Sequence, residues 1–495
     1  MSPISHGADW DFDLLERYQT AIGRVAGEYG LDTYSNQIEI ITSEQMLDAY
    51  ATCGLPIGYP HWSYGKEFIR NEQAYRRGMQ GLAYEIVINS DPCIAYLMEE
   101  NTMATQALVM AHASYGHNSF FKGNHLFRQW TAADAILDYL VFARRYVMEC
   151  EERHGAVAVE EVLDACHALM PQGVDRYRRP AALTLKAEAA RLDERKAHRE
   201  RYFNDLWRTV PEGSSKLGPD STGCFPVEPE ENILYFVEKH SPKLEPWQRE
   251  LVRIVRKLAQ YFYPQAQTKV MNEGWATFWH YTILNRLHEQ GLVDDGFMLE
   301  FLKSHTNVVG QPAHDSQAYS GLNPYALGFA LFADLRRICE NPDAEDREWF
   351  PQLAGSNWIM TLDFAMRNFK DESFIAQYLS PRLMREFHLF ALADHTDEDS
   401  LVVDSIHDDR GYRRLRKLLA QQHAQELCVP DVQIVRFDRD GDRSLTLRHL
   451  RRRGRPLTDA TAQVVAHLRR LWGFAVRLET WENDAPVGDV VECPA

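Results

Sequence analysis

The chain has 495 residues, with 54 Lys or Arg against 71 Asp or Glu, which gives a formal charge of −17 at pH 7. Its 45% apolar and 25% charged residues are typical of a folded globular protein and exclude a disordered chain, and the length predicts two or more domains. The acidic balance disfavours nucleic acid or an anionic membrane as a partner.

Three further features of the sequence predict a cytoplasmic protein. It has no run of about 18 uncharged apolar residues, so we expect no transmembrane segment. Residues 1–12 are polar and carry acids, without the basic flank and apolar centre of a signal peptide. The 8 cysteines form no C-x-x-C pair, which favours reduced thiols and argues against cysteine as a metal ligand.

Apolar residues recur at helical spacing through most of the first 381 residues, which predicts a mostly helical domain over residues 1–381. The predicted helices cover residues 10–29, 102–117, 132–153, 183–210, 246–263, 273–290, 294–308 and 324–339. The β-rich segment LAYEIVIN, followed by Ser90-Asp91-Pro92, predicts a strand and a turn. Clusters of glycine and proline predict loops at residues 54–64 and 211–231.

The pattern changes near Arg382, where short apolar runs typical of strands alternate with helical segments. The predicted strands are residues 387–393, 401–406, 432–437, 444–450 and 474–478, and the predicted helices are residues 410–424 and 460–471. Asp440-Gly441 between two of the strands indicates a hairpin turn. The order ββαββαβ predicts one sheet with helices on a face, in a small α/β domain over residues 382–495. The fold class is therefore α+β.

Two segments carry residues suited to metal chemistry. The string VMAHASYGHN contains His112 and His117, and the string MNEGWATFWH contains Glu273 and His280. Two neutral imidazoles and a carboxylate from a later helix are the ligand set of the gluzincin class of zinc hydrolases, and they leave one position open for water. We therefore predict that His112, His117 and Glu273 bind zinc.

The spacing of the two histidines requires a deformed helix. Residues five apart are separated by about 140° around an ideal α-helix and by about 7.5 Å along it. His112 and His117 can share one metal only if the helix bulges or ends near Gly116, a residue type that permits such a break. The alternative is a pair of structural histidines that are hydrogen-bonded within the protein.

The catalytic base of such an enzyme is not in its usual place. Zinc peptidase helices have the pattern H-E-x-x-H, in which the glutamate acts as the base. Ala113 occupies that position here, so a hydrolase would need another base. Glu99 and Glu100 are the nearest candidates in sequence.

Other residues are candidates for supporting roles. Glu273 and His280 are about 10.5 Å apart along a helix, so His280 is expected to support a ligand or face the substrate. Tyr325 could donate a hydrogen bond to an oxyanion, although a buried tyrosine at a helix start is the simpler interpretation. Histidines in or beside loops that could approach the site are His61, His125, His305 and His314.

Several strings resemble the SpoVR (stage V sporulation protein R) family. They are AHASYGHNSFFKGNHLFRQW, KVMNEGWATFWHYTILNRL, NPYALGF, DESFIAQYLSP and GDRSLTLRHL. The resemblance covers nearly the whole chain. It implies a role in spore cortex formation or in general stress, alongside a PrkA-type serine kinase and a von Willebrand-like partner. Two short segments also resemble a gluzincin-like peptidase group with HExxPGH and EGWA helices, which would imply a gluzincin-like fold for the helical domain.

The sequence leaves two hypotheses open. In the first, the protein is a zinc-dependent hydrolase-like protein that acts on a peptide or amide bond, for example in a peptidoglycan precursor. In the second, it is a non-catalytic sporulation or stress factor that works with the PrkA-type kinase system. The absence of a glutamate at Ala113 favours the second hypothesis, whereas a cluster of two histidines and a glutamate beside an open cavity would favour the first.

Overall fold

The computed structural model describes residues 3–51, 85–176, 228–313, 321–393, 402–424, 429–451, 456–483, 485–488 and 490–494, with the isolated positions 58, 59, 61, 62, 194, 225, 226, 316 and 319. Several predicted features therefore lie wholly or mostly outside the described residues. They are the loops at residues 54–64 and 211–231, the helix at residues 183–210, and His314. Among the described residues, no helix combines the length and apolarity that crossing a membrane requires.

Helices make up most of the described chain. In chain order they are α1 (Phe12–Glu28), α2 (Ser43–Ala51), α3 (Met103–Met110), a π-helix (Ala111–His117), α4 (Asn118–Gly123), α5 (His125–Trp130), α6 (Ile136–His154), α7 (Ala156–Ala168), α8 (Ile233–His240), α9 (Pro246–Gln267), α10 (Lys269–Glu289), α11 (Asp295–Val308), α12 (Pro324–Glu340), α13 (Ala344–Trp349), α14 (Trp358–Asn368), α15 (Asp371–Tyr378), α16 (Pro381–Glu386), α17 (Asp409–Gln422) and α18 (Thr461–Trp472). The mostly helical character predicted for the large domain is confirmed.

The described strands are short and form three separate sheets. They are β1 (Asn36–Ile41), β2 (Glu85–Ile88), β3 (Cys93–Met98), β4 (Ala391–Ala393), β5 (Val402–Ser405), β6 (Asp431–Phe437), β7 (Leu445–Leu450), β8 (Val476–Glu482), β9 (Ala485–Pro486) and β10 (Val491–Cys493). The first sheet has the order β1-β3-β2, the second pairs β4 with β5, and the third has the order β10-β8-β7-β6 with β9 beside β8.

Contacts divide the chain into two compact units. The first unit consists of Met1–Glu161 and Gln260–Val429, and the second of Val162–Ala259 and Pro430–Ala495. The predicted domain boundary between residues 381 and 382 lies inside the first unit, at the start of α16.

The core of the first unit is formed by apolar faces of helices packed around α10. This helix is buried along most of its length, and the buried Trp275 and Trp279 contact each other edge to face. Residues of α1, α3, α11, α12 and α15 belong to the same apolar cluster. Because α10 lies at the centre of the unit, the side chains on it are held by neighbours on several sides.

The sheet of the first unit brings a distant strand beside the helical core. In this sheet β3 is the central strand, pairing parallel to β1 and antiparallel to β2. Only the strand over residues 82–89 was predicted from sequence, and the structure places it at Glu85–Ile88. Glu85 pairs with Leu97 of β3 at the start of β2.

The second unit contains the C-terminal sheet, which differs from the single sheet that the sequence predicts. The hairpin β6–β7 is present, and β8 runs parallel to β7 after the helix α18. Strands β4 and β5 pair only with each other in the first unit, and two further short strands follow β8. From β4 to β8 the described elements follow the predicted order along the chain, but the prediction of one sheet is wrong, because strand patterns in a sequence do not specify which strands pair.

Candidate metal centre

The two predicted histidine ligands lie on a stretch of π-helix. Over Ala111–His117 the backbone is wound more loosely than an α-helix, and the N–H of Asn118 bonds to the carbonyl of Ala113, five residues earlier. This winding places residues five apart on one face, where an α-helix would separate them. The rings of His112 and His117 are consequently 4.6 Å apart between centroids.

The π-helix continues through Gly116 and does not end there. Gly116 contributes to the arrangement by allowing close packing. A Cβ atom at Gly116 would lie 2.5 Å from the Cα atom of Ala276 in α10. Real Cβ atoms do not approach backbone so closely, so glycine allows the π-helix to lie directly against α10. The close approach brings the histidines next to the helix that carries Glu273.

Four side chains converge at the centre. The Nε2 atom of His112 is 3.2 Å from Oε1 of Glu85 and 3.8 Å from Oε2 of Glu273. The Nε2 atom of His117 is 3.9 Å from Oε1 of Glu85 and 3.5 Å from Oε2 of Glu273. Zinc bonds of about 2.0–2.2 Å place ligand atoms about 3–4 Å from one another, and these separations lie in that range. Glu85, His112 and His117 meet the distance requirement for a metal-binding triad.

Glu85 is a functional candidate that the sequence analysis missed. It is the one charged residue in the apolar string LAYEIVIN, which ends shortly before the turn at Pro92. An isolated carboxylate in a buried strand needs a partner, and this signal was available in the sequence. Nothing in the sequence indicated that the strand would lie beside His112, since the contact joins distant parts of the chain.

The position of Glu273 depends on a close crossing of two helices. A Cβ atom at Gly274 would lie 2.4 Å from the Cα atom of Gly328, so α10 and α12 meet through two glycines. Tyr325 lies one turn before Gly328, and its hydroxyl hydrogen-bonds the carboxylate of Glu273. The predicted oxyanion donor Tyr325 therefore contacts a candidate ligand in this structure.

The second nitrogen of each candidate ligand is also hydrogen-bonded. Nδ1 of His117 is 2.9 Å from Oδ1 of Asn272, and Nδ1 of His112 is 2.9 Å from Nδ1 of His280. Nε2 of His280 is in turn 2.8 Å from Nδ1 of His305. Such partners fix the orientation of metal-binding imidazoles. The structure thus places His280 in contact with a candidate ligand.

Burial and neighbouring groups shift the pKa values of His112, Glu85 and Glu273. Burial lowers the pKa of His112 to about 4, which leaves its ring neutral at pH 7, the form that binds a metal. Burial raises the pKa of Glu85 well above its usual range, and the charge of Glu273 raises it further. Burial also acts to raise the pKa of Glu273, but His117, His112 and Tyr325 outweigh this effect and lower it.

The donor set fits a cation. Oε2 of Glu85 and Oε2 of Glu273 are buried and have no hydrogen-bond partner among the described residues. Buried carboxylate oxygens without a hydrogen-bond partner are costly unless a cation compensates them. The side chains of Glu85 and Glu273 keep 15% and 18% of their surface exposed, against 5% for His112. The chemistry of the donors suits Zn²⁺ and other first-row metals.

Three further candidates from the sequence, Glu99, Glu100 and His125, have described surroundings. Glu99 and Glu100 are exposed in the turn after β3, and Oε1 of Glu100 accepts a hydrogen bond from the N–H of Ser43. In the chain they follow Leu97, the strand partner of Glu85, and their assignment as the base stays a prediction. Nδ1 of His125 lies 3.1 Å from the carbonyl oxygen of Arg367.

These features define a candidate metal centre in a mostly helical protein with a small C-terminal sheet domain. The family described as SpoVR like protein matches residues 9–427, and the family described as SpoVR-like C-terminal domain matches residues 430–483. The chain therefore belongs to the SpoVR family, as its sequence strings predicted.

A relative with a similar sequence is present in Escherichia coli (strain K12). The chain is 57% identical over 491 residues to its "Uncharacterized protein YcgB", covering 99% of this chain and 96% of that protein. No solved structure matches the chain.

Proposed function

We propose that the protein is a metal-dependent hydrolase that binds zinc and acts on a peptide or amide bond. The observation that carries this proposal is the buried convergence of two imidazoles and two carboxylates, each carboxylate with an oxygen that lacks a hydrogen-bond partner among the described residues.

The four side chains divide into three ligands and one base. His112, His117 and Glu273 would hold the metal, and Tyr325 keeps the Glu273 carboxylate in place by its hydrogen bond. Bound zinc supplies Lewis acidity and lowers the pKa of a coordinated water to about 7. Glu85 lies on strand β2, and a cation bound beside it would favour its ionised form, so that its unpartnered Oε2 could accept a proton from the attacking water. It thereby provides the group that Ala113 does not.

The experiment compares Glu85→Gln with the wild-type chain, using Glu44→Gln in α2 as a control on an exposed carboxylate. Zinc content is measured by mass spectrometry, and hydrolysis is followed on a panel of peptides and peptidoglycan-derived amides. We expect the wild type and the control to release products. Glu85→Gln should keep its zinc and lose turnover by about 10²–10⁴-fold, the usual contribution of a general base. Full turnover in Glu85→Gln would contradict the assignment.

A second candidate function is a non-catalytic sporulation or stress factor, as the family resemblance implies. Two observations favour it: Ala113 occupies the position of the usual base, and both glutamates reach both histidines. Four protein ligands complete a tetrahedral zinc site and leave no position for water, as in structural zinc sites. In this case the protein would act in the cytoplasm through partners such as a PrkA-type serine kinase and a von Willebrand-like protein.

X-ray absorption spectroscopy of the zinc-loaded chain separates the two functions. The hydrolase requires three protein ligands and at least one water in the first coordination shell. Coordination by two histidines and both glutamates, together with no product from any substrate in the panel, would establish the second function instead.

A further inference from the structure

Three buried histidines form a continuous hydrogen-bonded chain that leads away from the candidate metal centre. Nδ1 of His112 meets Nδ1 of His280, and Nε2 of His280 meets Nδ1 of His305. His280 is completely buried and His305 is 5% exposed. His305 lies among aromatic rings, with centroids of Tyr281 and Phe329 at 4.8 and 4.9 Å.

While the three rings are neutral, the two hydrogen bonds that join them can be donated in only two consistent directions. A neutral imidazole has one N–H donor and one acceptor nitrogen, so each ring must donate on one side and accept on the other. In the first direction His112 donates from Nδ1 to His280, and His280 donates from Nε2 to His305. In the second direction His305 and His280 donate inward, and the proton of His112 lies on Nε2.

Only the first direction leaves His112 able to bind a cation. Its Nε2 atom faces Glu85 and Glu273, so a proton there would occupy the lone pair that a metal needs. With the proton on Nδ1, the lone pair of Nε2 points into the site. This direction requires Nδ1 of His305 as an acceptor, because Nε2–H of His280 donates its hydrogen bond to that atom.

We propose that His280 and His305 are positioning residues that hold His112 in its metal-binding tautomer. This inference rests on the proposed metal site at His112. His305 acts through His280 and does not touch the site, so its effect is transmitted by hydrogen bonds across two rings. Replacing its acceptor nitrogen by carbon leaves the buried Nε2–H of His280 without a partner whenever a metal is bound. Metal binding then becomes weaker, although all the ligands are present.

The first test measures zinc affinity by competition with a chelator of known affinity. His305→Phe keeps an aromatic ring among Tyr281 and Phe329 but has no acceptor, and we expect an affinity about 10–100-fold lower than wild type. His305→Asn retains an acceptor oxygen near the position of Nδ1 and should restore the affinity to within about threefold of wild type. His125→Phe removes a histidine of the same unit that is bonded to Arg367 and should leave the affinity unchanged.

The second test uses the wild-type chain and does not depend on how variants fold. Nitrogen-15 NMR of the zinc-loaded protein reports which ring nitrogen carries the proton. We expect Nδ1–H for His112 and Nε2–H for His280. Finding Nδ1–H on His280, or equal zinc affinities for folded His305→Phe and wild type, would overturn the positioning role while leaving the metal site intact. A wild-type chain that binds no zinc would overturn the metal site and this inference together.

Discussion

Both ring nitrogens of His117 have neighbours in the structure. The imidazole of His117 faces the two glutamates through Nε2 and contacts the side-chain oxygen of Asn272 through Nδ1. Because the amide oxygen can only accept, the ring must carry its proton on Nδ1, which leaves Nε2 free to bind a cation. Asn272 directly precedes Glu273 on α10. One turn of this helix therefore supplies the candidate ligand Glu273 and the hydrogen-bond acceptor that orients His117.

Replacing Asn272 by leucine should weaken metal binding while leaving the fold largely unchanged. Leucine has a similar shape but offers no acceptor for Nδ1–H of His117, and loss of such a partner typically lowers metal affinity about 10–100-fold. Zinc affinity is measured by chelator competition. Asn285→Leu is the matched control, since Asn285 lies on the same helix and bonds only to the carbonyl of Tyr281 among the partners described for it. Equal affinities of Asn272→Leu and this control would refute the role of Asn272.

At the scale of single residues, the sequence was informative where ligand types lie close together on one helix. His112, His117 and Glu273 could be proposed because two histidines and a glutamate from a later helix are a known ligand set for zinc. Glu85 could not be placed beside them, since its contact with His112 depends on the pairing of β2 with β3. The chain from His280 to His305 likewise depends on how two helices pack, which spacing along the sequence does not specify.

At the scale of elements, the π-helix connects the sequence spacing to the site. The i, i+5 separation of the histidines required a deformed helix, and the looser winding over Ala111–His117 provides it. Gly116 then allows this segment to pack against Ala276 of α10. A larger residue at position 116 would separate the two elements that carry the ligands.

Gly116→Ala should therefore lower both stability and zinc affinity. The added methyl would overlap the backbone of Ala276, and overpacking of this kind costs about 1–3 kcal/mol. The free energy of unfolding is measured by chemical denaturation, and zinc affinity by chelator competition. Gly27→Ala in α1 is the control, because a Cβ atom there meets nothing within 4 Å, and it should be neutral or slightly stabilising. A variant at position 116 that is as stable as this control would contradict the packing argument.

The start of α10 is held by a buried carboxylate from another helix. Oδ2 and Oδ1 of Asp371 accept hydrogen bonds from the N–H groups of Val270 and Met271, both at 2.8 Å. Burial raises the pKa of Asp371 to about 7, although these two bonds act in the opposite direction, and the charge of Glu273 raises it further.

This raised pKa gives a pH dependence with a definite sign. In the unfolded chain an aspartate titrates near about 3.9, so between about pH 4 and pH 7 the native state holds more protons than the unfolded state. The stabilisation that comes from the protonated form of Asp371 is therefore present at low pH and is lost as the pH rises towards about 7. Asp371→Asn does not titrate, and the stability of wild type relative to this variant should decline across that range. A difference that widens with rising pH in denaturation experiments would refute the raised pKa.

Helical periodicity predicted the long helices of the first unit because each has one continuous apolar face. The predicted helices over residues 10–29, 294–308 and 324–339 correspond closely to α1, α11 and α12. Strands β1 and β3 were missed, since β3 is an apolar run with no alternation and its parallel partner lies more than 50 residues away. In the C-terminal region β4 to β8 were predicted and β9 and β10 were missed, and the division of these strands between two sheets depends on pairing that no local pattern encodes.

At the scale of the whole molecule, the candidate centre belongs entirely to the first unit. Its residues come from β2, the π-helix, α10, α11 and α12, which are distributed between residues 85 and 340. The second unit contributes none of the described residues of the site. The family resemblance extends over both units, so it identified the protein class from sequence without indicating where the site would be.

The proposed function requires that His112, His117 and Glu273 bind one metal ion. The most direct measurement is the zinc content per chain after zinc addition and exhaustive dialysis, compared between wild type and the His112→Ala/His117→Ala double variant. We expect about one zinc per wild-type chain and almost none in the folded double variant. A wild-type chain without zinc, or a double variant that retains as much zinc as the wild type, would contradict it.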